Sequence, residues 1–285
     1  MKICIVTDSN VHLSKEEIGN LPIYILRMPI LIDGVPFFED EDIDEATFFK
    51  ELASKDVRTS QPAPQAVCGL WDELLEKYDQ VVHIPFSSGL SSSTQTAAML
   101  AEDYKGKVFV VDNHRVSVTL KRSIFDAINL INDGKSADEI KKILEETKAE
   151  SSIYIMVDTL TYLKKGGRVN ATAAAIGNTI HLKPILEIQG GVLNPVAAGL
   201  GTKKAKKIMI EKIHRDIANK FKDVPAEDLE IGMAYTHDLK EANVFKEEVS
   251  KEFNIKDIIM DPLSLQISAH IGPGALAITV SKIIR

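Results

Sequence analysis

The chain has 285 residues, 45% of them hydrophobic and 26% charged, and a formal net charge of −7. This composition is typical of a globular protein with a sizeable core, and the length favours two medium-sized α/β domains. The negative charge argues against nucleic-acid binding, because phosphate backbones require a clustered basic surface. Only Cys4 and Cys68 occur, which indicates neither a disulfide framework nor a zinc site.

The N-terminal segment MKICIVTDSN carries one lysine and then Asp8, which leaves no room for the apolar region of a signal peptide. No uninterrupted apolar run approaches the roughly 18 residues needed to cross a bilayer. We therefore expect a cytoplasmic protein with at most transient membrane contact.

Strand and helix patterns alternate over residues 1–150 and predict an N-terminal, mostly parallel α/β/α sandwich. KICIVTD predicts a buried first strand. Two helices follow, IDEATFFKELAS capped by Asp44 and a second one starting at Pro64. The remaining predicted elements are strand QVVHIPF, helix TQTAAMLAED, strand KVFVVD, helix VTLKRSIFDAINLIND, and helix SADEIKKILEETKAE with a Ser136/Glu139 capping box.

A second series of elements, over residues 151–285, predicts a C-terminal α/β domain. PILEIQGGVLNPV indicates an antiparallel hairpin around Gly190 and Gly191, and therefore a mixed sheet. The other predicted elements are strand SIYIMVD, a short helix ending at KKGGR, helix NATAAAIGNTIH, the long helix TKKAKKIMIEKIHRDIANKF, strand LEIGMAY, helix LKEANVFKEEVSKEF, strand KDIIMD and a C-terminal helix ALAITVSKII.

The segment SSGLSSST, residues 87–94, places six hydroxyl groups between a predicted strand and a predicted helix. Backbone N–H groups and the helix dipole favour an anion at such a joint, where Ser91 and Ser92 would lie. A nucleophilic serine would need an activating base and usually a GxSxG turn, and this segment lacks the second glycine. A serine-rich N-cap that serves only its own helix is the third interpretation. This segment alone does not separate the alternatives.

Two further segments offer donors for an anion. Thr59 and Ser60 lie in RTSQPAP, where two prolines hold the chain extended before a helix. In LKKGGRVN the glycines fit a helix C-cap, and Arg168 follows with a planar fork suited to a carboxylate or phosphate. A plain connector and a surface arginine are the competing interpretations.

The segment HIGPGALAI begins at His270 and contains Gly272 and Gly274. Two glycines around a proline predict a tight loop whose backbone can approach a ligand, followed by an apolar helix. His270 can donate to an oxyanion, although a lone histidine beside an apolar stretch is as often a core residue.

The sequence gives little support for a metal site or a nucleotide-binding site. The histidines are scattered, and neither a dinucleotide-binding nor a P-loop motif is present, so we expect no metal and no cofactor. FFEDEDIDE predicts a solvated acidic face. The basic residues of helix 202–215 are either another solvated face or a docking surface for an acidic or phosphorylated partner; they are Lys203, Lys204, Lys206, Lys207, Lys212 and Arg215.

Five segments in order resemble the DegV family, the bacterial fatty-acid-binding proteins also known as FakB subunits of fatty acid kinase. They are IVTDSN, TSQP, SSGLS, LKKGGRV and HIGPGA, and they span nearly the whole chain. The resemblance implies two α/β domains with a fatty acid such as palmitate or oleate between them. It also implies a partner kinase that phosphorylates the bound carboxyl group to an acyl phosphate.

By the same resemblance, the carboxylate contacts fall on Thr59, Ser91 with the Ser92 backbone, and His270, supported by Arg168. Ser60, Gly272 and Gly274 are possible additional contacts. The sequence departs from the family at three positions. Family members commonly have a glycine at the position of Ser92, an aromatic residue at the position of Thr94 and an arginine near the position of Leu200.

Our hypothesis is a lipid carrier without catalytic activity, which presents a fatty acid to a kinase. A serine hydrolase or acyltransferase that uses Ser91 with His270 as its base is the first alternative. A carrier of another amphipathic lipid is the second.

Overall fold

The computed structural model describes residues 1–169, 181–189 and 192–285. Its first sheet is fully parallel and has the strand order β2-β1-β6-β7. Every residue of β1 is buried, as expected for a strand covered on both faces. The four strands are β1 (Ile3–Asp8), β2 (Ile23–Leu26), β6 (Gln80–Ile84) and β7 (Val108–Val110).

Helices cover both faces of this sheet and form the predicted sandwich. Asp44, Pro64 and the Ser136/Glu139 capping box begin their helices as predicted. The helices are α1 (Lys15–Ile18), α2 (Glu45–Leu52), α3 (Pro64–Leu75), α4 (Ser93–Ala101), α5 (Ser117–Asn132) and α6 (Ala137–Glu146), and a 3-10 turn covers Glu102–Tyr104. Helices α5 and α6 pack on one face, and α3 and α4 on the other.

A small antiparallel sheet that the sequence analysis did not predict lies between these elements, with the order β4-β3-β5. Its strands are β3 (Ile30–Ile32), β4 (Val35–Phe37) and β5 (Val57–Thr59). Asp33 and Gly34 form the β3–β4 turn with φ of 50° and 83°, the left-handed geometry that a two-residue hairpin favours. This sheet brings Thr59 to the end of an edge strand.

The second large sheet has six strands in the order β10-β9-β8-β13-β11-β12. Only the β11–β12 pair is parallel, so the sheet is mixed as predicted. Its strands are β8 (Ser151–Met156), β9 (Leu182–Gln189), β10 (Val192–Leu200), β11 (Leu229–Tyr235), β12 (Ile259–Pro262) and β13 (Leu276–Lys282). The strands of both smaller sheets precede residue 111, and those of the mixed sheet follow residue 150.

Helices α8 (Thr202–Asn219) and α9 (Leu239–Phe253) cover one face of the mixed sheet. Helices α7 (Thr161–Lys165) and α10 (Leu265–Ile271) lie toward its other face, and a 3-10 turn covers Ala226–Asp228. Among the residues that the structure describes, no helix has the length and apolar character to cross a membrane. The predicted hairpin is formed by β9 and β10, but its glycine turn lies outside the described residues, as does nearly all of the predicted helix NATAAAIGNTIH.

The predicted C-terminal helix ALAITVSKII is wrong: this segment is β13, an inner strand of the mixed sheet. Six of its seven residues are buried because both faces are covered. A continuous apolar run of this kind cannot be distinguished from a buried helix by periodicity. The helix near His270 precedes the glycine loop instead of following it, and His270 therefore lies in the last turn of α10.

Candidate functional site

A cavity of about 350 Å³ lies between the carboxyl end of the parallel sheet and the face of the mixed sheet opposite α8 and α9. Its volume is within the range of about 300–1,000 Å³ typical of small-molecule pockets. Fourteen of its 25 lining residues are apolar, and the polar ones include most of the residues that the sequence singled out. The cavity therefore combines an apolar wall with a set of hydrogen-bonding groups.

The parallel sheet meets the cavity at its topological switch point, between β1 and β6, where ligands commonly bind in open α/β sheets. Asp8 ends β1, and its carboxylate accepts hydrogen bonds from the backbone N–H groups of Phe86 at 2.7 Å and Asn10 at 3.0 Å. Burial raises the pKa of Asp8 to about 6, against the opposing effect of these two hydrogen bonds. Asp8 thus joins the two strand ends that bring Asn10 and Phe86 to the cavity.

Side chains on one face of the mixed sheet line the cavity. On β13, Ile278 and Val280 pack beneath the helices α8 and α9, whereas Ala277 and Thr279 line the cavity. This division follows from the alternation of side chains along a strand. Ala277 is paired with Ala234 and Ile155, both cavity-lining residues. The small alanines leave free volume that larger side chains would fill.

Thr59 and His270 are 211 residues apart in sequence, and Thr59 Oγ1 lies 2.8 Å from His270 Nε2. Burial, and next the positive charge of Arg168, lower the pKa of His270 to about 4. The imidazole is therefore neutral at pH 7 and carries one proton, on either Nδ1 or Nε2.

The surroundings of the ring favour the tautomer with that proton on Nε2, because buried N–H groups without an acceptor are rarer in proteins than buried acceptors without a donor. Nδ1 is buried and has no hydrogen-bond partner among the described residues, so a proton there would be a buried donor without an acceptor, which is costly. On Nε2 the proton is donated to Thr59 Oγ1. The Thr59 hydroxyl hydrogen is then free to be donated into the cavity, toward an anion.

The LKKGGR segment ends α7 with two hydrogen bonds that define a Schellman motif. The backbone N–H of Gly167 donates to Lys164 at 3.1 Å, and that of Arg168 donates to Leu163 at 3.0 Å. Gly167 has a φ of 68°, which glycine adopts without strain. Gly166 has another role, because a Cβ atom there would lie 2.1 Å from His270 Nδ1.

The Arg168 guanidinium is at the exposed rim of the cavity. It donates to the backbone oxygens of Gly166 and Leu90, and so links the GGR segment to the SSGLS loop. Its charge lies close enough to His270 to disfavour the imidazolium form. Arg168 thus contributes a fixed positive charge to the end of the cavity that holds Thr59 and His270.

The hydroxyl-rich loop reaches the cavity with Ser91 and Ser92, directly before α4. The Ser91 hydroxyl donates to Ser93 Oγ at 3.1 Å and accepts from the Ser93 backbone N–H at 3.2 Å. The Ser92 side chain is exposed and donates to Gln61 Oε1 at 3.3 Å. The extra side chain at position 92 is therefore engaged by Gln61. Thr94, the other position in this loop that differs from the family pattern, donates to the backbone oxygen of Phe86 at 2.7 Å.

Six of the eight candidate residues line this one cavity; they are Thr59, Ser60, Ser91, Ser92, Arg168 and His270. Gly272 and Gly274 are not among the lining residues. A Cβ atom at Gly272 would lie 2.4 Å from the Tyr162 ring, and one at Gly274 would lie 2.9 Å from the Asp158 carboxyl group. These two glycines allow close packing against α7 and the loop before it.

Sequence reasoning missed five polar residues of the cavity: Asn10, Gln61, Ser117, Gln266 and Thr279. Asn10 donates to Met28 Sδ and accepts from Ser264. Gln266 donates to the backbone oxygens of Pro29 at 2.6 Å and Ser60 at 3.1 Å, and thereby fixes the segment that carries Thr59. Asn10 and Gln61 stand in the quoted segments IVTDSN and TSQP and could have been found there, whereas Gln266 lies on a helix that was not predicted.

The geometry does not activate Ser91 as a nucleophile. Ser91 is hydrogen-bonded to Ser93, and His270 to Thr59, whereas a nucleophilic serine requires a base within hydrogen-bond reach. Across residues 1–169, 181–189 and 192–285 there is also no cluster of three or more residues that could hold a metal ion.

The basic helix α8 is partly neutralised by its own surroundings. Lys206 is paired with Glu241 at 2.5 Å and Glu248 at 3.3 Å. Lys207 and Arg215 have acidic partners as well, and Lys212 lies over the Tyr154 ring. Three of its six cations, Lys203, Lys204 and Lys212, form no ion pair with a described residue. The exposed Leu200 directly precedes this helix.

Fold and cavity together define an α/β protein with an apolar chamber that carries hydrogen-bonding groups at one end. The family model described as "Uncharacterised protein, DegV family" matches residues 2–282. The chain therefore belongs to the DegV family, which confirms the resemblance of its five segments.

Relatives and solved structures agree with this assignment over the full chain. A DegV domain-containing protein of Staphylococcus aureus is 29% identical, with 99% of each chain covered. DegV of Bacillus subtilis, a fatty acid binding protein, is 28% identical with a TM-score of 0.85 and 99% of each chain covered. A fatty-acid-binding DegV family protein of Thermus thermophilus has a TM-score of 0.89 at 24% identity, with 99% of this chain and 100% of the other covered. These structures confirm the fold class.

Proposed function

We propose that the protein binds a long-chain fatty acid such as palmitate or oleate in the cavity. The carboxylate lies at the end formed by Thr59, Ser91 with the Ser92 backbone, and His270, beside Arg168. The acyl chain lies along the face of the mixed sheet. The observation that carries this proposal is the cavity itself, in which hydrogen-bonding groups from four distant segments meet at one end of an apolar chamber.

The two parts of the ligand would be held by different forces. A buried carboxylate needs several directed donors, because an unpaired charge in a partly desolvated site is costly. The Thr59 hydroxyl and the Arg168 guanidinium meet that need. Each buried methylene contributes about 0.8 kcal/mol, so a sixteen-carbon chain contributes on the order of 10 kcal/mol before ordering costs.

The relationship to B. subtilis DegV supports the same ligand class, since that protein is a fatty acid binding protein with the same fold at 28% identity. A bound fatty acid would need no cofactor from this chain. The protein would act as a carrier, and the chemistry would belong to a partner.

We also propose that the carrier presents the carboxylate to a kinase, which forms an acyl phosphate. The exposure of Ser92 and Arg168 supports this role, because it places the carboxylate end near the protein surface. Docking through the exposed end of α8, at Lys203 and Lys204, would leave the paired cations of this helix undisturbed.

The test is organic extraction of freshly purified protein followed by mass spectrometry, together with calorimetry with added palmitate and oleate. We expect one fatty acid per chain, or binding of the added acids after delipidation. Recovery of a different amphipathic lipid would favour the carrier of another ligand. Turnover of an activated ester with organophosphonate labelling at Ser91 would replace the proposal by a hydrolase, and absence of both lipid and binding would refute it.

A further inference from the structure

Two hydroxyl groups lie on the cavity wall apart from the carboxylate end. Ser117 and Thr279 line the cavity and are 9% and 4% exposed. Neither hydroxyl makes a hydrogen bond with any residue that the structure describes. Buried hydroxyls nearly always have a partner. Their positions in a largely apolar chamber therefore indicate a partner that enters with the ligand.

The register of the mixed sheet gives the depth of Thr279. Ala277 and its strand neighbours form one row across the sheet, and Thr279 with Ile153 forms the next row on the same face. Two residues of a strand span roughly 6.6 Å. Ala277 is the nearer of the two to the loop that follows α10 and His270, so Thr279 lies farther along the strand from the carboxylate end.

Helix α5 brings Ser117 to the same place. A Cβ atom at Gly232, the strand neighbour of Thr279, would lie 2.6 Å from Val118 Cγ1 and 2.9 Å from Thr279 Oγ1. The Thr279 hydroxyl therefore lies beside the first turn of α5, which begins at Ser117 and has sixteen residues. The first N–H groups of a helix lack intrahelical acceptors and carry partial positive charge. A ligand oxygen at this point would meet two hydroxyls and a helix N-terminus.

We propose that Ser117, Thr279 and the N-terminus of α5 form a second polar subsite, which binds a hydroxyl or oxo oxygen on the acyl chain of an oxygenated fatty acid. This inference rests on the proposed function, because it takes the carboxylate to lie at Thr59 and His270. It narrows the ligand class from long-chain acids in general to acids with one oxygen substituent away from the carboxyl group.

The experiment measures calorimetric affinity for palmitate and for palmitates with a single hydroxyl near the carboxyl group, in mid-chain, or on the terminal carbon. Wild type is compared with Thr279→Val and Ser117→Ala. We expect one mid-chain or terminal hydroxyl isomer to lose about threefold to tenfold in affinity in each variant, the range for one lost hydrogen bond. Palmitate is the reference ligand, so the ratio of the affinity for that isomer to the affinity for palmitate should fall by a similar factor.

Thr7→Val is the matched control, since Thr7 is fully buried, its hydroxyl has no partner among the described residues, and it does not line the cavity. It should leave the ratio between isomers unchanged. If the ratio of isomer affinity to palmitate affinity is the same in wild type and Thr279→Val, the subsite is refuted. An equal loss of affinity for palmitate and for every hydroxyl isomer in Thr279→Val would be such a result, and it would place the carboxylate at α5. Failure of palmitate and all isomers to bind wild type would instead overturn the proposed function.

Discussion

The parallel and mixed sheets both border the cavity, but they contribute to it in different ways. The parallel sheet offers its strand ends, so its contribution is made by loops such as IVTDSN and SSGLS. The mixed sheet offers a face, and its contribution is made by alternate side chains such as Ala277 and Thr279. The comparison shows that one ligand site can combine directed polar groups from loops with volume and shape from a sheet face.

The largest expected effect is at the polar end. Ser91→Ala combined with His270→Ala should lower fatty acid affinity by a hundredfold or more. The first change removes a hydroxyl beside the carboxylate, and the second removes the donor that leaves the Thr59 hydroxyl hydrogen free for the carboxylate. Hydrogen bonds to a charged group contribute about 1.5–3 kcal/mol each. Calorimetry measures the affinity, and thermal unfolding checks that the fold persists. Ser88→Ala with His214→Ala is the control, since neither residue lines the cavity. Unchanged affinity in the first double variant would refute the site assignment.

The next effect tests the sheet face. Ala277→Leu should lower palmitate affinity by more than tenfold, because the larger side chain displaces about two methylenes at about 0.8 kcal/mol each. Since the new atoms enter a cavity, the free energy of unfolding should change little. Ala242→Leu, on the buried side of α9, should instead destabilise the fold by about 1–3 kcal/mol. The free energy of unfolding is measured by urea titration. If both variants lose a similar amount of it, the space beside Ala277 is already filled in solution.

A smaller effect separates two adjacent glycines. Gly166→Ala should reduce affinity about fivefold to tenfold, because its Cβ atom would lie 2.1 Å from His270 Nδ1 and displace the ring. Gly167→Ala should cost about 1 kcal/mol of stability, owing to its left-handed φ of 68°, with little change in affinity. Fatty acid affinity and the free energy of unfolding are measured for both variants. An affinity loss in Gly167→Ala with none in Gly166→Ala would contradict the role given to Gly166.

The smallest effect is a pH dependence. Burial lowers the pKa of His270 from 6.5 to about 4, so the unfolded chain takes up a proton before the folded one does. The contribution of His270 to stability is complete above pH 6.5 and is lost as the pH falls toward 4. When the pH is lowered from 7.5 to 6, the free energy of unfolding of wild type should fall by on the order of 0.5–1 kcal/mol more than that of His270→Gln. Equal losses in urea titrations would show that the imidazole is already solvated.

Most elements were predictable because local signals define them, as Asp44, Pro64 and the Ser136 capping box show. The exceptions have physical causes. The small sheet has strands of only three residues, too short for a clear alternation. Strand β13 is buried on both faces and lacks the alternation that marks a half-exposed strand.

Six site residues could be named from sequence because hydroxyls, an arginine and a histidine beside glycines are unusual enough to notice. Their partnerships could not be predicted. The hydrogen bond between Thr59 and His270 joins segments 211 residues apart, and no local pattern records it. Ser117 and Thr279 carried no signal, because a single hydroxyl in a helix or strand is commonplace until a cavity lies against it.

The sequence by itself determined the α/β class, most helix boundaries and the polar segments of the site, because caps, turns and hydrophobic periods act over a few residues. The tertiary structure alone decided which serine is paired with which group, that the pKa of His270 is lowered, and that one face of the mixed sheet borders a cavity. These properties depend on burial and on contacts between distant segments. Burial sets the pKa of His270, and the packing of small residues such as Ala277 and Gly166 sets the volume in which a ligand can lie.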